Sequence, residues 1–245
     1  MRVYAIGDVH GHLDLLRQAH ERIIVDGGDD AMVVHLGDLV DRGPDSRGVI
    51  RHLIDGQAAG CNWRVVLGNH DRLFLRFLTD RDWTDAGLSD RAHWVDHPGL
   101  GAAETLASYG VDPALPRAEL HRAALRAVPR DHVVWLAGLP HWYLHPLALF
   151  VHAGIRPGVD LQNQTQDDCV WIRRPFLDSG TDFGPLVVHG HTPVKQPSHY
   201  GNRLNIDTGA AYGGPLTAVV IEPSGIWALS DQGRVPVARL PRPIG

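Results

Sequence analysis

Only two cysteines, Cys61 and Cys169, occur in 245 residues. That is too few for a disulfide framework, their separation is not that of a zinc motif, and both are expected to be reduced apolar fillers. No uninterrupted apolar run approaches the roughly 20 residues of a membrane span. The opening stretch MRVYAIGDVHG lacks a signal-peptide layout, because Asp8 and His10 arrive directly behind a short strand-like run. A cytoplasmic location is the expectation. A basic excess is also missing: the formal charge is −5 and no long run of Lys or Arg interrupts the chain, so neither nucleic acid nor a membrane is an expected partner. There is no internal repeat or low-complexity tract, and no GxGxxG fingerprint of a dinucleotide site.

What the chain does have is 44% hydrophobic residues, enough for a substantial core, and an unusual 16 histidines. Its beginning follows a rhythm. RVYAI (2–6) predicts a buried strand, GDVHG a loop, and HLDLLRQAHERIIV a helix with Leu13, Leu16, Ala19 and Ile23 at helical spacing. MVVHL, the loop GDLVDRGPDS and a helix through Val49, Ile50, Leu53 and Ile54 repeat it, with Asp45 and Ser46 as turn and helix start. WRVVL, GNHD and a helix through Leu73, Phe74, Phe77 and Leu78 repeat it again. Such alternation predicts an α/β fold with parallel pairing, whose ligands collect beyond the carboxyl ends of the strands.

From 79 to 145 the chain becomes rich in Trp and His, with helical stretches such as RAELHRAALRAV broken by Pro98, Pro113, Pro116 and Pro129. We expect one domain over 1–245, with 79–145 as a mostly helical insertion capping one side of the site. Strands resume at LALFVHAG (147–154) and PLVVHGHTPV (185–194), and LTAVVIE, IWALS and VPVARL predict a β-rich end.

Each strand-end loop supplies an oxygen or imidazole donor: Asp8 and His10, Asp38, Asn69 and His70, His152, and His189 and His191. Carboxylate, amide oxygen and neutral imidazole suit manganese, iron or zinc and suit calcium poorly. A two-metal hydrolase further needs one carboxylate shared between the ions. The ordered set GDVHG (7–11), GDLVDRG (37–43), GNHD (68–71), VHAG (151–154) and GHT (190–192), with IDTG (206–209) behind it, resembles the metallophosphoesterase superfamily. The likeness is to its phosphoprotein phosphatase branch, the bacterial and phage-type serine/threonine phosphatases.

The resemblance implies a calcineurin-like fold, a β-sandwich of mixed sheets flanked by helices, and a binuclear centre of two divalent ions, manganese first, iron or zinc as the other fits. Carried over by position, Asp8 and His10 hold the first metal, Asp38 bridges, and Asn69, His152 and His191 hold the second. His189 falls one step outside the pattern, and Pro193 stands where a further His occurs in the wider superfamily. His70 is the implied proton donor to the leaving alcohol, oriented by Asp41, whose carboxylate favours the protonated imidazole. Arg42 and, as the choice over Arg174, Arg173 are the implied phosphate ligands. Asp71, where eukaryotic relatives often have Glu, receives no role.

The implied activity is a phosphomonoesterase acting on phosphoserine or phosphothreonine esters by direct attack of a dimetal-bound hydroxide. Its substrate partner would be a phosphorylated protein or a small phosphoester. The alternative is symmetrical hydrolysis of diadenosine tetraphosphate, for which Trp83, Trp94, Trp135 and Trp142 would either stack adenine or simply pack. His12, His20, His35, His52 and the histidines of 93–145 are expected to be structural.

Overall fold

Three parallel strands, β1 (Val3–Ile6), β2 (Val33–His35) and β3 (Trp63–Val65), alternate with helices α1 (Leu13–Gly27), α2 (Ser46–Ala58) and α3 (Asn69–Thr79) in the computed structural model. It describes residues 1–88 and 92–240, so positions 89–91 of the 79–145 segment and the last five residues lie outside the described residues. The predicted βα rhythm is therefore present, and Asp45 does start α2, its Oδ1 accepting the Gly48 N–H at 2.7 Å.

Downstream come α4 (Ala102–Ser108), α5 (Arg117–Ala127), α6 (Arg130–Ala137), β4 (Trp142–His145), β5 (Ala148–Val151), α7 (Gln166–Trp171), β6 (Leu186–His189), β7 (Ser198–His199), β8 (Arg203–Asn205), β9 (Ala218–Glu222), β10 (Gly225–Ser230) and β11 (Gly233–Pro236). Two mixed sheets result, in the orders β11-β10-β9-β1-β2-β3 and β4-β5-β6-β8-β7. Two boundaries differ from the sequence pattern. WYLH at 142–145, read as the end of the helical segment, is the antiparallel hairpin partner of β5, with His145 opposite Ala148. The last strand sits at 233–236 instead of following VPVARL, because a two-residue turn sets Ser230 opposite Gly233.

Side-chain alternation makes the layers. Val3 and Ala5 of β1 and Val34 of β2 face the second sheet and meet Phe150, Val188, Leu204 and Ile206. Tyr4 and Ile6 point the other way, onto Leu16, Ile23, Ile50, Leu53 and Phe74 of the helices. Leu149, Val151 and Val187 cover the far face of the second sheet with Cys169, Val170 and Phe176. The result is a sandwich with helices on both outer faces, each buried Val, Leu, Ile or Phe contributing about 1.5–3 kcal/mol. Trp94, Leu106, Tyr109, Leu120 and Leu136 of the 79–145 segment join the same cluster as α1–α3. No helix among the described residues is long and apolar enough to cross a membrane.

Both parallel triplets, β1-β2-β3 and β5-β6-β8, bring their carboxyl ends to one rim, and the polar loops follow directly. Cross-links draw these loops together: Val9 and His10 N–H donate to Asp38 O at 3.0 and 2.8 Å, and Gly190 N–H donates to His152 O at 2.8 Å.

Candidate metal centre

A cavity of about 160 Å³ opens at this rim, lined by Asp8, His10, Asp38, Arg42, Asn69, His70, Trp171, Arg173, His191, Asp207 and Tyr212 among others. His152 lies behind it, fully buried. Backbone geometry marks the same place. Among the described residues, the non-glycine positions with positive φ are His10, Asp38, Asp41, Arg42 and His191, between 45° and 74°. Such conformations cost roughly 1–3 kcal/mol each and cluster where function requires them. Two glycines permit the approach. A Cβ on Gly68 would collide with Asp38 Oδ1, and one on Gly190 with Asp8 Oδ1.

The ring nitrogens are assigned by their partners. His10 Nδ1 donates to Val40 O at 2.8 Å and His152 Nδ1 to Leu36 O at 2.9 Å. Each Nε2 is thus left as a lone pair turned inward. His152 Nε2 stands 2.9 Å from Asn69 Oδ1 and 3.3 Å from Asp38 Oδ1, and His191 Nδ1 stands 2.9 Å from the same amide oxygen. On the other side, His10 Nε2 lies 3.4 Å from Asp38 Oδ2. Among the described residues two sets of closely spaced donor atoms emerge, His10 with Asp38 and His70, and Asp38 with His152 and His191. They share Asp38, one oxygen facing each side.

Electrostatics tests whether cations fit. Burial pushes His10, His152 and His191 down, so their lone pairs are available at neutral pH. Burial also opposes ionisation of Asp38, but His152, His70, His10 and His191 outweigh it and hold the carboxyl low. Burial and the charges of Asp207 and Asp38 push Asp8 well up, and Asp207 is pushed up to about 6 by burial and Asp38. Three carboxyls around one small cavity repel one another unless positive charge stands between them. Asp8 Oδ1 and His191 Nε2 are buried without a hydrogen-bond partner, and a guanidinium already occupies part of the space, Arg42 Nη1 lying 2.5 Å from His10 Nε2. The donor set, its orphaned atoms and its like charges all fit divalent cations.

The six ligand candidates from the sequence therefore meet at one place, although Asp8 lines the cavity outside the two tight sets while His70 falls inside one. Asp8 Oδ2 accepts the His191 N–H at 3.1 Å, joining the two sheets. His70 Nδ1 lies 2.6 Å from Asp41 Oδ2, and its Nε2 is 3.0 Å from Arg42 Nη2. Arg42 and Arg173 both line the cavity, and neither has a carboxylate within ion-pair distance among the described residues. Arg174 instead pairs with Asp178 at 3.0 Å on the surface.

Of the two alternatives for the tryptophans, stacking on a base or packing, the structure favours packing. None of Trp83, Trp94, Trp135 or Trp142 lines the cavity; Trp94 is buried, Trp135 donates to Gln57 Oε1 and Trp83 packs beneath Arg76. The wall aromatics are Trp171, edge-on to His191, and Tyr212, exposed and 5.2 Å from the Arg42 guanidinium. Sequence reasoning also left Asp71 and Asp207 without a task. Asp71 accepts the Leu39 and Gly68 N–H groups at 2.8 and 2.9 Å, tying the loop of Asp38 to that of Asn69. Its place directly after Asn69 and His70 was the available signal. For Asp207 the signal was the IDTG stretch at the end of β8.

The chain is 29% identical over 239 residues to the asymmetrical bis(5'-nucleosyl)-tetraphosphatase PrpE of Geobacillus thermodenitrificans, covering 89% of this chain and 90% of that protein. It is 27% identical over 252 residues to the protein of the same name from Bacillus cereus, covering 89% and 90%. The fold is similar to that of a cold-active protein-tyrosine phosphatase from a psychrophilic Shewanella, with a TM-score of 0.62 at 16% identity, covering 97% of this chain and 80% of that one. With residues 1–219 matched by the model of the calcineurin-like phosphoesterases, the chain belongs to that family of metal-dependent hydrolases.

Proposed function

We propose that this chain hydrolyses a dinucleoside tetraphosphate asymmetrically, using two divalent ions held by Asp8, His10, Asp38, Asn69, His152 and His191, with Asp38 between them. The carrying observation is the convergence of the His152 lone pair, the Asn69 amide oxygen and Asp38 within 2.9–3.3 Å, an arrangement of acceptors that a cation relieves. Manganese is the first choice, iron or zinc the next. When bound, the ions would activate water and offset charge on the phosphate.

The chain's own residues do the rest. Arg42 and Arg173, with no carboxylate in ion-pair distance among the described residues, would take non-bridging phosphate oxygens. Drawing Arg42 onto phosphate would release His70 Nε2, which then faces the leaving oxygen while Asp41 holds Nδ1. Tyr212 and Trp171 are the aromatic faces placed to meet a base. In the same proposal 79–145 is an insertion within one domain over 1–245 that closes one side of the site, through Leu100 in the wall.

Cleavage type follows the relatives, which are named asymmetrical. The symmetrical alternative expected from the sequence is set aside on that ground. A second reading, hydrolysis of phosphoserine or phosphothreonine esters on a protein, is favoured by the His70–Asp41 pair. An alkoxide leaving group needs a proton, whereas a nucleotide leaving from an anhydride needs one far less. Metal-loaded protein should convert diadenosine tetraphosphate to a mononucleotide plus a nucleoside triphosphate, resolved by chromatography, faster than it dephosphorylates a phosphothreonine peptide. The opposite order supports the second reading, and two equal diphosphate products would reinstate symmetrical cleavage.

A further inference from the structure

The Asp41 carboxylate is fully buried and receives more than His70. Trp94 Nε1 donates to Oδ2 at 2.8 Å, beside the His70 contact at 2.6 Å, and Thr105 Oγ1 donates to Oδ1 at 2.7 Å. The Thr105 oxygen also accepts the Asp41 N–H at 2.8 Å, and Ser46 Oγ, 3.0 Å away, is placed to donate to it. Both new donors are buried and come from the 79–145 segment, more than 50 residues from Asp41. The indole is in turn gripped by Phe74 and Phe77, at ring distances of 5.5 and 5.3 Å, on the helix whose first turn carries His70.

We infer that Trp94 and Thr105 are positioning residues for proton transfer by His70, fixing the plane of the Asp41 carboxylate so that the imidazole can hold only one orientation toward the cavity. A carboxylate bonded to one imidazole is free to turn about its Cβ–Cγ bond; donors on both oxygens, approaching from a third element, remove that freedom. Asp41 sits at φ 74°, so its backbone alone does not secure it. The 79–145 segment thereby reaches into the chemistry from behind, besides lining the cavity. This rests on the acid role given to His70 above, and the test separates the two.

Trp94→Phe removes one N–H and keeps the ring; Thr105→Val removes the hydroxyl at nearly constant shape; Thr105→Ser restores it. Each, with His70→Asn as reference, is assayed on phenyl phosphate and p-nitrophenyl phosphate after metal content is checked. The p-nitrophenolate leaves without help, so a positioning defect shows as a fall in the phenyl to p-nitrophenyl ratio of kcat. We expect that ratio to drop roughly tenfold in Trp94→Phe and Thr105→Val, a typical cost of losing one hydrogen bond to a charged group. KM should hold, and Thr105→Ser should recover to within about twofold. A ratio that moves in His70→Asn but stays put in both single variants overturns this inference alone. A ratio unmoved in His70→Asn as well removes the acid role and this inference with it. Should Thr105→Val fail to fold, Trp94→Phe carries the test.

Discussion

In the proposed mechanism Asp38 and His70 are neighbours with separable duties, and substitution should separate them. Asp38→Ala removes the oxygen donors shared by both donor sets, so bound metal and turnover should vanish together; retention of two ions by elemental analysis would end the bridging assignment. His70→Asn should keep both ions while kcat on phenyl phosphate falls by about 10² to 10⁴. Unchanged turnover there would take His70 out of proton transfer. These residues were legible because each sits in a short run of Gly, Asp, His and Asn directly behind an apolar strand, so one-dimensional spacing carries the three-dimensional placement. Trp94, Thr105 and Tyr212 were not. They reach Asp41 and Arg42 through tertiary packing, and in the sequence they look like any buried Trp, helical Thr or loop Tyr.

Between α1, α2 and the first sheet runs a chain of imidazoles. His52 Nε2 lies 3.0 Å from His20 Nδ1, His20 Nε2 lies 2.8 Å from His35 Nε2, and His35 Nδ1 donates to Arg64 O at 3.1 Å. Trp63 stacks on His20 at 4.1 Å. Neutral rings supply one proton per link, and burial favours them by lowering His20 to about 2 and His35 to about 4. Folded values below the unfolded value mean that the unfolded chain takes up protons first. Stability is complete above about pH 6.5 and is lost as pH falls from there, toward 4 for His35 and toward 2 for His20, each ring costing about 1.4 kcal/mol at pH 5.5. Urea midpoints at pH 7.5 and 5.5 should differ less in His20→Gln than in the wild type, whatever its absolute stability; an equal difference would show that His20 is charged in the fold. The sequence called for structural histidines here, and its 3.6-residue and alternating patterns placed α1–α3 and β1–β3. It missed β4 because WYLH follows a helical stretch directly and its pairing partner, β5, lies beyond the turn at 146–147.

For the molecule entire, the carboxyls of Asp8, Asp38 and Asp207 around one cavity make the metal-free fold the strained one. Stripping metal with a chelator should lower the melting temperature by roughly 5–10 °C, as expected for loss of a ligand held at about a hundred times its Kd in a chain this long. An unchanged melting point in calorimetry would mean that the ions add nothing to the fold. The left-handed backbone at His10, Asp38, Asp41, Arg42 and His191 has a further consequence. A peptide carrying any one of these loops would relax into ordinary conformations, so no fragment of the chain is preorganised to capture an ion. The loops are held only once β1–β3 and β5–β8 have closed on each other, which makes ion uptake a late event and its stoichiometry a measure of how many molecules in a preparation have completed folding.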